Sequence, residues 1–207
     1  MCVPEMITPG TNKPMQSRPT EFSRRHLICA SGAALGLFAG RTPASQPAVD
    51  DASVLWSDLE KAPWISGGGA AAQRIVYVFS DPNCIWCHRF WEASRPWVDA
   101  GKVQLRYLIV GLVRPDSARK AAAILGAKDP AQAIQDHEKA YDRGGVSPLP
   151  AVPENTARTL ENNLRLMRSI GFRGTPALVY RDARGEVTAM AGFPKTEDGL
   201  ASVLGKR

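Results

Sequence analysis

Histidine and cysteine, the side chains that most often hold transition metals, are scarce in this 207-residue sequence, which has three histidines and four cysteines. No cysteine follows Cys87, and His88 and His137 are the only histidines in that part of the chain. A structural zinc site needs four soft or imidazole ligands at suitable spacing. The sequence therefore predicts no zinc site.

Long apolar runs and a strong charge imbalance are also missing. The apolar stretch at residues 27–40 has about the length of a signal-peptide core and is too short to span a bilayer. The formal charge is +6, but residues 1–44 carry a net +3 of it, which leaves about +3 for the rest. This balance does not indicate a nucleic-acid-binding protein.

Residues 1–44 are predicted to be a leader with an export signal. Arg24 and Arg25 stand just before the apolar stretch, as in twin-arginine signals and in some general secretory signals, so both export routes stay open. We expect a periplasmic protein, with a retained membrane anchor as the alternative. Cys2 and Cys29 lie in this leader. The exported chain then keeps one cysteine pair, which in an oxidising compartment favours catalysis over a disulfide framework.

A strand followed by a helix is predicted at residues 76–91, VYVFSDPNCIWCHRFW. Cys84 and Cys87 would lie in the first helical turn, where two intervening residues allow a reversible disulfide. The unpaired N–H groups and the dipole of the helix favour a thiolate on the first cysteine, so its pKa should fall below the free-thiol value of about 8.5. Cys84 is the candidate nucleophile, and the more buried Cys87 would resolve the mixed disulfide.

Neighbours of the pair are candidates for tuning the thiol pKa. A protonated His88 would lower it, and Trp86 has the only side-chain N–H between the cysteines. Two other interpretations of this segment stay open. CIWCH matches the c-type haem attachment pattern, and the pair could form a purely structural disulfide, although short loops are poor staples.

The second informative segment, GFRGTPALVY at residues 171–180, places a Thr-Pro dipeptide before a short apolar strand. Proline is tolerated at the start of a strand, and an X-Pro bond is the common place for a cis peptide. Alone, Thr175-Pro176 indicates a plain turn. Together with the upstream Cys-x-x-C it suggests a redox site.

These two segments, with residues 95–111 and 121–131, resemble the periplasmic disulfide-isomerase family of DsbG and DsbC, and most closely the DsbG catalytic domain. The resemblance covers roughly residue 56 to the C-terminus. It implies a thioredoxin-like α/β fold, with a central mixed sheet flanked by helices, and an enzyme without cofactor or metal. It also implies that Cys84 attacks, Cys87 resolves, and Thr175 with a cis Pro176 binds the substrate backbone.

The same resemblance implies a reduced working state that acts on disulfides or sulfenylated cysteines of periplasmic proteins and is regenerated by a DsbD-type membrane reductase. A DsbA-like disulfide-forming oxidase is the alternative among enzymes. A c-type haem electron carrier and a peptide-binding chaperone are alternatives of other classes.

The predicted organisation after the leader has two parts. Residues 45–72 form a linker and a short N-terminal segment, with a short helix and an edge segment. They are too few to hold the family's dimerisation domain, so we expect a monomer. Residues 73–207 form the thioredoxin-like domain, interrupted by a helical insertion at about 116–171, in which Asp129 is a predicted N-cap. His137, among charged neighbours, is predicted to be a solvated surface residue.

Overall fold

The computed structural model describes residues 48–206, and for residues 48–50 the backbone alone. The predicted leader at residues 1–44, with its export signal and two cysteines, lies outside this range. The helices are α1 (Ala48–Lys61), α2 (Ile85–Asp99), α3 (Ser117–Leu125), α4 (Pro130–Lys139), α5 (Glu154–Ser169) and α6 (Glu197–Leu204). The strands are β1 (Ile65–Gly67), β2 (Arg74–Ser80), β3 (Val103–Ile109), β4 (Ala177–Arg181) and β5 (Val187–Ala191). None of the helices in the described range is both long and apolar enough to cross a membrane.

The five strands form one mixed sheet in the order β1-β3-β2-β4-β5. β2 and β3 run parallel, and the other neighbours run antiparallel. This arrangement confirms the predicted fold class. The register pairs Ser80 with Ile109, and Phe79 with Ala177. The C-terminal ends of β2 and β3 therefore lie beside the beginning of β4, at the same end of the sheet.

Side chains of β2 alternate between two apolar layers because successive residues of a strand point to opposite faces. Val76 and Val78 pack with α2, α6 and the insertion, whereas Tyr77 and Phe79 pack with α1 and the end of α5. The sheet is thus covered on both faces, and its central strand reads as a continuous apolar run. Two tryptophans of α2, Trp91 and Trp97, are buried in the first of these layers.

Residues 48–67 contribute a helix and an edge strand, as predicted for that segment. Leu59 of α1 is fully buried, and β1 pairs antiparallel with β3, so the sheet begins before residue 73. Gly67 lies against the ring of Tyr107, where a β-carbon would approach a ring atom to 2.4 Å. Glycine at this position lets the edge strand lie close to β3.

The insertion between β3 and β4 holds α3, α4, a 3-10 turn at Tyr141–Arg143, and α5. These helices lie within the stretch predicted as a helical insertion. Gly126 is the C-cap residue of α3, and Gly144, with φ 95°, ends the 3-10 turn. The Asp129 side chain caps α4 by accepting a hydrogen bond from the N–H of Gln132 at 3.0 Å, as predicted.

Candidate active site

Cys84 is the N-cap residue of α2. Its backbone is extended, with φ −88° and ψ 105°, and its Sγ accepts a hydrogen bond from the backbone N–H of Cys87 at 3.1 Å. The first N–H groups of a helix have no partner within it, and the N-cap side chain usually supplies an oxygen. Here the acceptor is sulfur, so the positive end of the helix is directed at the side chain of Cys84.

Cys84 and Cys87 are joined as a disulfide, with their Cα atoms 5.2 Å apart. The sequence predicts that Cys87 is more buried than Cys84. The structure shows almost no difference, because the exposed fractions of Cys84 and Cys87 are 4% and 3%. The two sulfurs differ instead in their contacts. The hydrogen bond from the helix N-terminus goes to Sγ of Cys84, which supports the assignment of that residue as the nucleophile.

Thr175 and Pro176 lie beside the disulfide although they are 91 residues away from Cys84 in sequence. Because β4 runs antiparallel to β2, the residues before β4 meet the turn that follows β2. The Thr175–Pro176 peptide bond is cis, and the Thr175 carbonyl oxygen lies 3.3 Å from Sγ of Cys84. The hydroxyl of Thr175 is buried and has no hydrogen-bond partner in the described part of the chain.

A pocket of about 210 Å³ opens next to these residues. It is lined by Trp86, Thr175, Pro176, Gly192, Phe193 and Lys195. The N–H of Gly192 donates to the carbonyl of Pro176 at 2.8 Å, which fixes the loop after β5 against the cis-proline loop. The disulfide therefore lies at the edge of a small, mostly apolar depression rather than on a flat surface.

A comparison with known families matches the part of the chain that holds β2 to β5, the cysteine pair and the Thr175–Pro176 loop. The model of the thioredoxin-like domain matches residues 69–206. The chain belongs to the thioredoxin-like family.

Within this family, the thioredoxin-like chain is similar to two proteins named thiol:disulfide interchange protein DsbG. That of Pseudomonas aeruginosa is 47% identical over 156 residues, which cover 75% of this chain and 60% of the relative. That of Escherichia coli is 39% identical over 140 residues, covering 68% and 56%. These matches confirm the predicted resemblance to the DsbG/DsbC type. The chain spans somewhat more than half the length of these relatives.

Among solved structures, the catalytic domain of Proteus mirabilis ScsC is similar to the thioredoxin-like chain, with a TM-score of 0.61 and 21% sequence identity. The match covers 75% of this chain and 95% of the ScsC domain. At this identity the likeness concerns the fold alone.

His88 faces the insertion of the thioredoxin-like domain. Its Nδ1 lies 2.9 Å from a carboxylate oxygen of Glu138, and its ring stacks on Tyr141 with centroids 4.3 Å apart. Burial raises the pKa of Glu138, whereas His88 lowers it. His88 thus interacts directly with the buried carboxylate of Glu138. The effect of His88 on the pKa of the Cys84 thiol stays a prediction.

Trp86 lies at the surface, with 42% of its area exposed, and forms one wall of the pocket. The guanidinium of Arg89 and the ammonium of Lys195 lie 4.6 and 4.8 Å from the centre of a Trp86 ring. The sequence suggested Trp86 as a donor to the thiolate. The structure adds two cations at its ring. Arg89 is one helical turn from Trp86 on α2, whereas the contact with Lys195 joins segments that are distant in sequence and that spacing did not indicate.

A buried network holds the turn between β2 and α2, and sequence reasoning missed it. One oxygen of Asp81 accepts hydrogen bonds from the N–H of Asn83 and the hydroxyl of Ser117, each at 2.8 Å. The other accepts from the N–H groups of Leu112 and Val113 at 2.7 and 3.1 Å. One sign of this turn is present in the sequence, the turn-forming residues Asp-Pro-Asn directly before the first cysteine.

The side chain of Asn83 extends this network to α3. Its Nδ2 donates to Asp116 and Ser117 at 2.9 and 3.0 Å, and its Oδ1 accepts from Nζ of Lys120 at 3.0 Å. Lys120 also donates to the carbonyl of Gly144 at 2.8 Å. The insertion therefore braces the residue that precedes the first cysteine.

His137 is buried, with 3% of its surface exposed, so its predicted position at the surface is wrong. Its Nδ1 accepts a hydrogen bond from the N–H of Val146 at 3.0 Å, and its Nε2 donates to the carbonyl of Pro82 at 2.8 Å. Gly145, with φ 65°, lies so close to the ring that a β-carbon would meet Nδ1 at 2.3 Å. The charged neighbours in sequence were misleading because adjacent helical residues face different directions, and because one of these neighbours, Glu138, is itself buried against His88.

This position makes stability depend on pH. Burial lowers the pKa of His137, and Lys120 and His88 lower it further, against raising effects of the Pro82 carbonyl and Asp81. In the unfolded chain its pKa is about 6.5. Because the unfolded chain binds the proton first as the pH falls, the stability due to neutral His137 is complete above about pH 6.5 and is progressively lost below it.

We therefore expect a His137→Gln variant to be less stable than the wild type at neutral pH, with a difference that shrinks between about pH 7 and pH 5. Urea unfolding of both proteins across this range measures the difference, and groups that titrate alike in both cancel. A difference that does not change with pH would contradict the assignment.

The structure shows where the histidine of the CIWCH pattern lies. The histidine of that pattern is held by Glu138 and Tyr141. Among residues 48–206, no group of three or more His, Cys, Asp and Glu side chains is placed to hold a metal ion.

Proposed function

We propose that this protein is an exported thiol-disulfide oxidoreductase of DsbG/DsbC type that reduces or isomerises disulfides in periplasmic proteins. The observation that carries the proposal is the environment of Cys84 Sγ. It receives a helix N-terminal N–H at 3.1 Å and lies 3.3 Å from the carbonyl of a cis-proline loop. The name of the two DsbG relatives, thiol:disulfide interchange protein, supports the same activity.

The reaction begins with the reduced pair. The Cys84 thiolate attacks one sulfur of a substrate disulfide, forms a mixed disulfide with it, and releases the other substrate sulfur as a thiolate. Cys87, as a thiolate, then attacks Sγ of Cys84 and releases the second substrate sulfur. The substrate gains two electrons, and the protein is left with the Cys84–Cys87 disulfide. In isomerisation, a different cysteine of the substrate, as a thiolate, attacks the substrate sulfur of the mixed disulfide instead, which forms a new substrate disulfide and releases Cys84 as a thiolate.

A sulfenylated cysteine is a second substrate of the same chemistry. Cys84 attacks its sulfur, the hydroxyl leaves as water after taking up a proton, and Cys87 resolves the mixed disulfide as before.

The substrate segment is expected to bind along the cis-proline loop. Thr175 and Pro176 line the pocket beside the disulfide, and the buried Thr175 hydroxyl has no hydrogen-bond partner in the described part of the chain. Around this edge of the sheet, large apolar side chains are exposed, namely Ile85, Trp86, Leu112 and Val113. Such a rim suits a polypeptide with apolar residues better than a small polar molecule.

The remaining parts of the proposal concern the cell. A DsbD-type membrane reductase would return the Cys84–Cys87 disulfide to the dithiol, by the same exchange chemistry. Export through the predicted leader would bring the protein to the periplasm, and we propose that it acts as a monomer. Sedimentation of the purified protein tests the last point, and a stable dimer would contradict it.

The alternatives are separable by direct measurements. A DsbA-like oxidase needs a strongly oxidising potential and a mainly oxidised pair in cells, whereas a reductase or isomerase needs a reduced pair. A c-type haem carrier would show a Soret absorbance band after purification. A peptide-binding chaperone would keep its activity in cells after Cys84→Ser.

The first test is the thiolate itself. We expect the reduced protein to show thiolate ultraviolet absorbance at a lower pH than free cysteine does, because the Cys87 N–H and the helix dipole favour the charged form. The Cys84→Ser variant, which keeps Cys87, is the matched control and should lose that signal. A wild-type protein that titrates like free cysteine would contradict the proposed chemistry.

A further inference from the structure

The residues around the pocket carry a charge pattern that the disulfide chemistry does not use. Arg89 and Lys195 come from different elements, α2 and the loop before α6, and their charged groups lie 4.6 and 4.8 Å from the centre of a ring of Trp86. Each charged group is therefore closer to a Trp86 ring centre than the Debye length of about 8 Å at physiological ionic strength. Two like charges so close raise the local potential for an anion.

This cationic site lies where substrate must pass. Trp86 stands between the two cysteines in sequence, and together with Thr175, Pro176 and Lys195 it lines the pocket at the disulfide. A substrate cysteine that reaches Cys84 must bring its neighbouring residues over this pocket. Arg89 and Lys195 are exposed, so their charged groups are accessible to those residues.

We propose that Trp86, Arg89 and Lys195 form a specificity subsite that selects substrate segments with an Asp or Glu close to the target cysteine. The inference rests on the proposed function and names its substrate class. The indole ring supplies an apolar surface for the substrate chain, and the two cations attract a carboxylate beside it. A Lys or Arg in the same substrate position is repelled.

The acidic side chains nearest in sequence to the two cations are Glu92, Glu197 and Asp198. Glu92 lies on α2, where its carboxylate is 3.7 Å from Nε2 of His88. Glu197 and Asp198 occupy the first turn of α6, where negative charge interacts favourably with the helix N-terminus. Asp142 lines a different pocket, which it shares with two cations, Arg114 and Lys120. The contrast between acidic and basic substrates is thus expected to arise at the Trp86 ring.

The test uses three disulfide-linked peptides of one sequence that differ in the residue next to the cysteine, which is Glu, Gln or Lys. We measure kcat/KM for their reduction by the full, pre-reduced protein at low and at high salt. The expected order is Glu, Gln, Lys, with the Glu peptide favoured over the Lys peptide by about tenfold at low salt. High salt should reduce the ratio towards one because exposed charges are screened.

Variants then locate the effect. Arg89→Gln and Lys195→Gln should each lower the Glu-to-Lys ratio about threefold, and the double variant should bring it close to one. The ratio is the useful quantity because a change in the reactivity of Cys84 affects all peptides alike and cancels. Lys102→Gln is the control for net charge, since Lys102 is an exposed cation just before β3, at the opposite end of the sheet. It should leave the ratio unchanged.

Equal rates for the Glu and Lys peptides, or a ratio that survives the double variant, would overturn the subsite while leaving the proposed function intact. Failure to reduce any of the three peptides would count against the proposed function itself.

Discussion

A Cys84→Ser variant is expected to lose all measurable disulfide reduction, while a Cys87→Ala variant is expected to accumulate covalent complexes with its substrates. Serine at the N-cap keeps the hydrogen bond to the helix N-terminus but cannot exchange disulfides. Alanine at position 87 leaves the attack by Cys84 intact and removes the thiol that resolves the mixed disulfide. The Cys84→Ser variant should therefore form no covalent complexes with substrates, whereas the Cys87→Ala variant should accumulate them.

Non-reducing electrophoresis of both variants after expression in the periplasm measures this difference, and identification of the captured proteins defines the substrates. Cys2→Ser and Cys29→Ser should be introduced in both variants, so that no other thiol of the chain takes part. Covalent complexes formed by the Cys84→Ser variant through Cys87 would reverse the assignment of nucleophile and resolving residue.

An Asp81→Ala variant is expected to be destabilised by about 3 kcal/mol or more, the range for losing partners of buried hydrogen-bonding groups. Asp81 is 1% exposed and accepts four hydrogen bonds, three of them from backbone N–H groups. Alanine leaves these donors without their acceptor, in a site too enclosed for free access of water. The free energy of unfolding from urea titration measures the loss.

The matched control is Asp116→Ala. Asp116 belongs to the same network, since it accepts a hydrogen bond from Nδ2 of Asn83, but it is partly exposed and that donor also contacts Ser117. We expect a loss below about 1 kcal/mol there, as for an ordinary exposed hydrogen bond. Equal losses in both variants would show that the buried position of Asp81 is not what matters.

Much of the fold was predictable because its signals are local. The apolar run of β2, the Asp129-Pro130 start of α4 and the glycines that interrupt the insertion each determine structure over a few residues. The Cys-x-x-C pair was likewise readable, since helix N-termini and thiols interact within one turn. The nearness of Thr175 to Cys84 was not contained in any spacing and followed only from the family resemblance.

The unpredicted features depend on contacts between distant segments. The carboxylate of Asp81 meets backbone groups about thirty residues away, and His137 reaches the carbonyl of Pro82 across 55 residues. Neither partner is a side chain with a characteristic pattern, because a backbone N–H or carbonyl is present at nearly every position. The contact of Lys195 with Trp86 also joins distant segments, because Lys195 comes from the loop before α6, whereas Arg89 is a neighbour of Trp86 on α2.

The bracing of residues 81–83 by groups from residues 112–146 has a consequence for engineering. The segment at residues 84–87 is not expected to keep its reactivity when it is transplanted into another protein. The orientation of Cys84 depends on residues 81–83, which helices elsewhere in the chain hold in place. A smaller domain made by joining β3 directly to β4 would preserve the sheet and the disulfide sequence. It would also remove the supports of Asp81, Pro82 and Asn83, leaving a reactive loop without its scaffold.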